Sequence, residues 1–205
     1  MILNAASVIE RLIMGDGGED PLIICPTPDA EKLKESTAAS IDLRLGTWFL
    51  SMRTNNQTSM EISREAIHYP PEESLINKHF CQFGKRFILH PGCFILAVTL
   101  EWIRLPRDLA GYVTGKSSWG RRGLVIETAP GVHPGFSGCL TLELANVGEV
   151  PIALVPGMPI CQLFIHNVQQ PSSLKGKLNH SSFNGRRQPI LGKIKQDEFV
   201  NKLES

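Results

Sequence analysis

Apolar residues at Val8, Ile9, Leu12 and Ile13 recur at the spacing of one helical face, which predicts a short amphipathic helix near the start of the chain. Ser7 is its expected cap and Gly15 to Gly18 its expected end. From Pro21 to about Val168 the rhythm changes to short apolar runs separated by Gly, Pro, Asn and Asp, the punctuation of strands joined by tight turns. Strands are predicted over 40–45, 48–51, 86–89, 94–102, 110–114, 124–127, 138–146, 152–155 and 160–166. Turn signals at His90-Pro91-Gly92, His133-Pro134-Gly135, Asn146-Val147-Gly148 and Pro156-Gly157, with no long helical pattern between them, indicate an all-β barrel or sandwich rather than alternating α/β units. After Val168 the chain turns polar, so residues 169–205 are expected to form a mobile tail, with weak helical spacing at Phe199, Val200 and Leu203.

Composition narrows this picture. At 205 residues, 42% hydrophobic and 20% charged, the chain can bury one substantial core with appendages and shows no signature of disorder. A formal charge of +1 provides no broad basic face, so neither a nucleic acid polymer nor an anionic membrane is an expected partner, and any phosphate site must be local. Five widely spaced cysteines in apolar runs read as buried thiols in a reducing compartment. No apolar run approaches the roughly 20 residues that span a bilayer, and the first ten residues lack the pattern of a signal peptide, so a cytoplasmic location is expected.

Three segments carry candidate chemistry. In Gly115-Lys116-Ser117-Ser118-Trp119-Gly120-Arg121-Arg122-Gly123, between two predicted strands, hydroxyls, a point charge and a planar guanidinium are concentrated, a donor set suited to an oligophosphate. A Walker A loop is excluded, because Ala110 stands where its first glycine is required. In Gly138-Cys139-Leu140-Thr141-Leu142-Glu143-Leu144-Ala145-Asn146 the leucines alternate, which places Glu143 on the opposite face. A partly desolvated carboxyl there would suit proton transfer, whereas a fully exposed one would be a solvated strand residue. Thr128-Ala129-Pro130-Gly131-Val132-His133-Pro134-Gly135-Phe136 is a loop whose backbone can approach a flat ligand and whose Phe136 can pack against a sugar or base, or alternatively fill the core. His133 is either a proton carrier or an ordinary turn histidine.

Other chemistries lack their residues. No histidine is followed two places later by glutamate and no Cys-x-x-Cys occurs, so zinc-dependent nucleobase deamination is not expected and no protein metal ligand is predicted. No Gly-x-Ser-x-Gly elbow and no Gly-x-Gly-x-x-Gly is present either.

Taken together, Ser40-Ile41-Asp42-Leu43-Arg44-Leu45-Gly46, Phe87-Ile88-Leu89-His90-Pro91-Gly92, Ala97-Val98-Thr99-Leu100-Glu101, Gly115-Lys116-Ser117-Ser118, Pro134-Gly135-Phe136-Ser137-Gly138, Thr141-Leu142-Glu143-Leu144 and Pro156-Gly157-Met158 closely resemble the dCTP deaminases of the trimeric dUTPase-like superfamily. The resemblance covers most of residues 1–168 and implies a distorted β-barrel or jelly-roll with a short N-terminal helix. It also implies a homotrimer with active sites between subunits, dCTP as substrate and dUTP as product, and Mg2+ bound through the substrate triphosphate. At matching positions Ser117, Ser118 and Arg121 would contact phosphates and order the attacking water, with Lys116 in place of a common arginine. Glu143 would be general base and then acid in a hydrolytic deamination, and Phe136 would pack on the deoxyribose. The same carry-over places Thr128, Ala129, His133 and Gln162 among the nucleotide contacts. Ser182-Phe183-Asn184-Gly185-Arg186-Arg187-Gln188-Pro189 resembles a nucleotide-closing tail more loosely, making Arg186, Arg187 and Gln188 phosphate contacts or, alternatively, a solvated basic segment. Two departures stand out: the loop after Arg121 is one residue short, and His133 replaces an aspartate that dUTPases use near the attacking water. The competing readings are a dUTP diphosphatase or bifunctional enzyme, and a deoxynucleotide-binding regulator without turnover.

Overall fold

The computed structural model describes residues 1–14, 20–34, 36–53, 72–127, 131–169 and 184–191. The order of elements is α1 (Ala5–Met14), β1 (Ile23–Cys25), α2 (Ala30–Lys34), β2 (Ile41–Met52), α3 (Glu72–Leu75), β3 (Ile76–Phe80), β4 (Phe87–Leu89), β5 (Phe94–Arg104), β6 (Leu109–Gly115), α4 (Ser117–Gly120), β7 (Leu124–Glu127), β8 (Gly131–Val132), β9 (Ser137–Asn146), β10 (Ile152–Leu154) and β11 (Pro159–Asn167). The all-β expectation holds. A nine-stranded sheet runs β7-β9-β5-β2-β11-β6-β8, with β1 added to β5 and β3 added to β2, and β10 pairs with β4 in a second small sheet.

The sheet curls on itself as a distorted barrel. Gly115 at the end of β6 packs directly on Ile126 of β7, near the opposite end of the strand path, so closely that a Cβ at Gly115 would lie 3.1 Å from the Ile126 Cβ. Inside the curl, alternate residues of the long strands meet: Leu43, Leu45 and Phe49 from β2, Ile103 from β5, Leu142 and Leu144 from β9, and Leu163 from β11 are all buried. Each such side chain contributes roughly 1.5–3 kcal/mol by leaving water, which is why period-2 patterning governs this fold.

Two predicted strands, 40–45 and 48–51, are one strand. β2 passes unbroken through Gly46, where a Cβ would come within 3.0 Å of the Thr99 carbonyl and of Val98 Cγ2. The glycine therefore marks a close backbone approach to β5 and not a turn. Here the pairing of β5 shifts register against both neighbours, between Leu45 and Phe49 of β2 where the two strands pair, and between its own Val98 and Trp102 where it pairs with β9. Thr99 Oγ1 stitches the irregular stretch by donating to the Glu101 carbonyl (2.8 Å) and accepting the Leu140 N–H (2.9 Å). The bulged stretch turns Glu101 inward, 2% exposed, where its carboxylate accepts the backbone N–H of Arg44 (2.8 Å) and the Arg44 Nε–H (2.6 Å).

The N-terminal helix is present, but its cap is Asn4. The Asn4 Oδ1 accepts the Ser7 N–H at 2.8 Å, and Ser7 lies in the first turn. Ala5, Val8 and Ile9 form the buried face. The expected helix end at Gly15 to Gly18 and the helical spacing at 196–203 lie outside the described residues. All five cysteines are free thiols; Cys81, Cys139 and Cys161 are buried, whereas Cys25, at the end of short edge strand β1, and Cys93, in a turn, are exposed. Burial pushes the thiols of Cys139 and Cys161 above the ordinary value, and the nearby Glu101 carboxylate adds to the rise in both. Among the described residues no helix is long and apolar enough to cross a membrane.

Of the tail, residues 184–191 fold back onto the barrel. The Gly185 N–H donates to the Ser137 carbonyl (2.6 Å) and the Cys139 N–H donates to the Arg186 carbonyl (2.8 Å), so this segment lines the first part of β9 while β7 pairs with its last part. Leu191 packs on a small cluster of Leu50, Leu75, Ile76 and Leu96.

Candidate active site

The segment after β6 forms a single helical turn, α4, that opens directly from the sheet. Lys116 precedes it with extended backbone (φ −72°, ψ 129°), and the N–H groups of Trp119, Gly120 and Arg121 fold back onto the carbonyls of Lys116 and Ser117. Two bonds fix the turn in place: Trp119 Nε1 donates to the Pro159 carbonyl of β11 at 2.9 Å, and an Arg122 Nη donates to the Ser118 carbonyl at 2.6 Å. Gly123 then takes a left-handed conformation (φ +86°) with its Cα against Gly148 and leads into β7. Ser117, Ser118 and Arg121 are exposed on this turn, and among the described residues their side chains have no hydrogen-bond partner. Small hydroxyls and a guanidinium held by a rigid turn, with no internal partner to displace, are well placed to receive phosphate oxygens.

Lys116 differs from them. Its Nζ forms an ion pair with Asp42 Oδ2 of β2 at 2.5 Å, and the other carboxylate oxygen of Asp42 accepts a hydrogen bond from Gln162 Nε2 of β11 at 3.3 Å. Gln162 also donates to Ser40 Oγ at 3.2 Å.

Glu143 stands in the middle of β9, opposite Leu96 of β5 and Glu127 of β7. Its neighbours Leu142 and Leu144 are fully buried, so alternation directs Glu143 to the other face, where it is half-buried. Among the described residues its carboxylate has no hydrogen-bond or ion-pair partner. β7 links the two centres, since it leaves the α4 turn opposite Asn146 and ends opposite Glu143, a span of roughly 10 Å along the strand.

The remaining predicted residues are dispersed. Phe136 is 9% exposed and belongs to the main core cluster. His133 is exposed beyond β8, and Arg186, Arg187 and Gln188 are exposed on the tail segment that lines β9. Thr128 and Ala129 lie outside the described residues. A cavity of about 390 Å³ near Ser51, His79, Phe87 and Cys93 is lined by none of these residues. Two residues escaped the list of candidates. Asp42 gave only its place in a motif, and Glu101 gave a single charge inside the apolar run from Phe94 to Ile103, a pattern that should have marked a buried, paired carboxylate.

A curled all-β sheet that presents a turn of hydroxyls and cations beside a strand carboxylate without a partner among the described residues defines a class of barrel suited to a phosphorylated ligand. The comparisons with known proteins narrow the class. The family described as dCTP deaminase-like matches residues 19–168. A dCTP deaminase, dUMP-forming, of Dictyoglomus thermophilum is 36% identical over 91% of this chain and 93% of its own. A dCTP deaminase of Haloarcula marismortui is 36% identical over 96% of each chain. Among solved structures, the 2'-deoxycytidine 5'-triphosphate deaminase of Agrobacterium tumefaciens shares the fold with a TM-score of 0.56 at 22% identity, over 80% of this chain and 47% of that one. The chain belongs to the dCTP deaminase-like family.

Proposed function

We propose that the protein hydrolyses dCTP to dUTP and ammonia, with Glu143 as the proton-transfer group. The observation that carries this reading is the half-buried Glu143 carboxylate, without a partner among the described residues, on the strand next to the one that leaves the phosphate-binding turn. Glu143 takes a proton from a water that attacks C4 of cytosine and delivers it to N3, then takes the remaining proton from the C4 hydroxyl and gives it to the amino group as the carbonyl forms and the C4–N bond breaks, so water and dCTP become dUTP and ammonia. Ser117, Ser118, Arg121 and Lys116 bind the triphosphate, Thr128, Ala129 and His133 read base and sugar, and Phe136 supports that segment from the core. Arg186, Arg187 and Gln188 add phosphate contacts from the tail, residues 169–205, which closes over the nucleotide carried by the barrel of residues 1–168.

Magnesium enters with the triphosphate and offsets its charge. The donor set of the α4 turn, hydroxyls and cations, suits phosphate oxygens, and hard divalent ions in such sites are held largely by the phosphates themselves. The working unit is a homotrimer with its sites between subunits. In support, Ser117, Ser118, Arg121, His133, Arg186, Arg187 and Gln188 are exposed on one chain, and the cavity near Ser51 and His79 is lined by none of them. Five free thiols support a cytoplasmic location.

The experiment is a product assay on dCTP, CTP and dUTP with magnesium. Formation of dUTP and ammonium from dCTP but not CTP is expected, with loss of at least 1000-fold in turnover, and retained dCTP binding, in Glu143→Gln. Undiminished turnover in that variant removes Glu143 from the chemistry. The dUMP-forming relatives favour a second reading, in which the same site also releases pyrophosphate. Accumulation of dUMP and pyrophosphate from dCTP would identify the bifunctional enzyme.

A further inference from the structure

We propose that Asp42 is a positioning residue for oligophosphate binding: held by Gln162, it fixes the Lys116 ammonium at the entrance of the α4 turn without touching the ligand. This inference rests on the reading of that turn as a phosphate site.

The geometry spans three adjacent strands. Asp42 of β2 is the register partner of Gln162 of β11, and Gln162 is in turn the partner of Thr114 of β6. Lys116 lies two residues beyond Thr114, and its side chain reaches back across β11 to Asp42. Both oxygens of the Asp42 carboxylate are engaged, one by the Lys116 Nζ at 2.5 Å and one by Gln162 Nε2 at 3.3 Å, so the carboxylate has a defined orientation. Ser40 extends the chain by accepting from Gln162 at 3.2 Å.

The physical case concerns what a lysine lacks. A guanidinium carries its directionality in its plane, whereas an ammonium on a four-carbon stem takes its direction from its neighbours and loses rotamer freedom when a ligand fixes it. Here that restriction is already imposed, because the Lys116 side chain is only 24% exposed and is anchored at its tip. An ammonium has three N–H donors and Asp42 uses one, which leaves two for phosphate oxygens. Asp42 is 46% and Lys116 24% exposed, so water partly screens both charges and the ammonium is held by the direct hydrogen bond. Gln162 thereby contributes through Asp42.

The test is a double-mutant cycle on the full-length protein with Asp42→Asn, Lys116→Met and the combination. Asp108→Asn, which breaks the remote pair with Arg11, is the control. Magnesium tripolyphosphate is titrated and followed by the fluorescence of Trp119, and kcat and KM for dCTP are measured in parallel. The expected result is about a tenfold weaker tripolyphosphate Kd and a matching rise in KM for Asp42→Asn, with kcat within about twofold and no further loss on the Lys116→Met background. Unchanged or tighter binding in Asp42→Asn overturns the inference, as does an equal loss on both backgrounds, which a merely structural role would give. A wild type that binds tripolyphosphate with this coupling yet does not deaminate dCTP removes the proposed function and leaves the inference standing. A wild type that deaminates dCTP with uncoupled variants does the reverse, and one that does not bind tripolyphosphate removes the phosphate reading of the turn and this inference with it.

Discussion

Asn146 ends the strand that carries Glu143, and its truncation is expected to cost about 3 kcal/mol of stability. The side chain is 1% exposed and makes three hydrogen bonds: Nδ2 donates to the carbonyls of Leu89 (3.0 Å) and Val150 (2.9 Å), and Oδ1 accepts the Gly148 N–H (3.0 Å). At a net value of about 1 kcal/mol per bond the three sum to about 3 kcal/mol in Asn146→Ala, and the Leu89 carbonyl, left buried without its donor, keeps the cost from being lower. Asn146→Leu restores most of the volume without the polar atoms and serves as the discriminating variant. Urea unfolding followed by tryptophan fluorescence, at one fixed protein concentration, should show both variants about 1–2 M below wild type with unchanged slope. A loss under 1 kcal/mol in either variant would falsify the claim that these bonds, rather than packing, pin the end of β9 to β4 and to the following turn.

Two further outcomes follow from close contacts and from burial. Gly123→Ala should lose at least 2 kcal/mol, because its φ of +86° disfavours a side chain and the new Cβ would lie 2.7 Å from the Gly148 backbone nitrogen, whereas Gly120→Ala, with nothing within 4 Å, should be tolerated; equal melting temperatures for the two variants would refute the steric argument. The Cys161 thiol is held above its ordinary value by burial first, then by Glu101 and Asp42, with Lys116 opposing, so the folded state keeps a proton that the unfolded state releases. Stability from this group is therefore complete below the unfolded value of about 8.5 and is lost as pH rises above it, by up to about 1.4 kcal/mol per pH unit, and unfolding free energies between pH 8 and 10 should fall less steeply in Cys161→Ala than in wild type. Identical slopes would count against it.

The sequence announced the barrel through its turns and its period-2 apolar runs, because those are the local terms that the core sums. What escaped it was set by partners far along the chain. β1, β3 and β8 are short and exist by pairing with β5, β2 and β6, so Ile23–Cys25, Ile76–Phe80 and Gly131–Val132 carry little pattern of their own. Gly46 reads as a strand break until β5 is laid beside it, and Ser7 reads as a cap until Asn4 is seen one turn earlier. In the site, the hydroxyls and Arg121 of the α4 turn and the outward face of Glu143 were legible from local spacing. The tethering of Lys116 was not, since its partner lies 74 residues away. The burial of Phe136 in the core also depends on the whole curl of the sheet.

The backbone pairing of residues 185–186 with β9 carries one more implication. Where β7 ends its partnership with β9, the first residues of β9 would present a bare edge, and unsatisfied strand edges invite other chains to pair with them. The tail segment covers that edge with the chain's own backbone. A proteolytic cut upstream of Asn184 would thus change colloidal behaviour, turning a guarded strand into a template for aggregation.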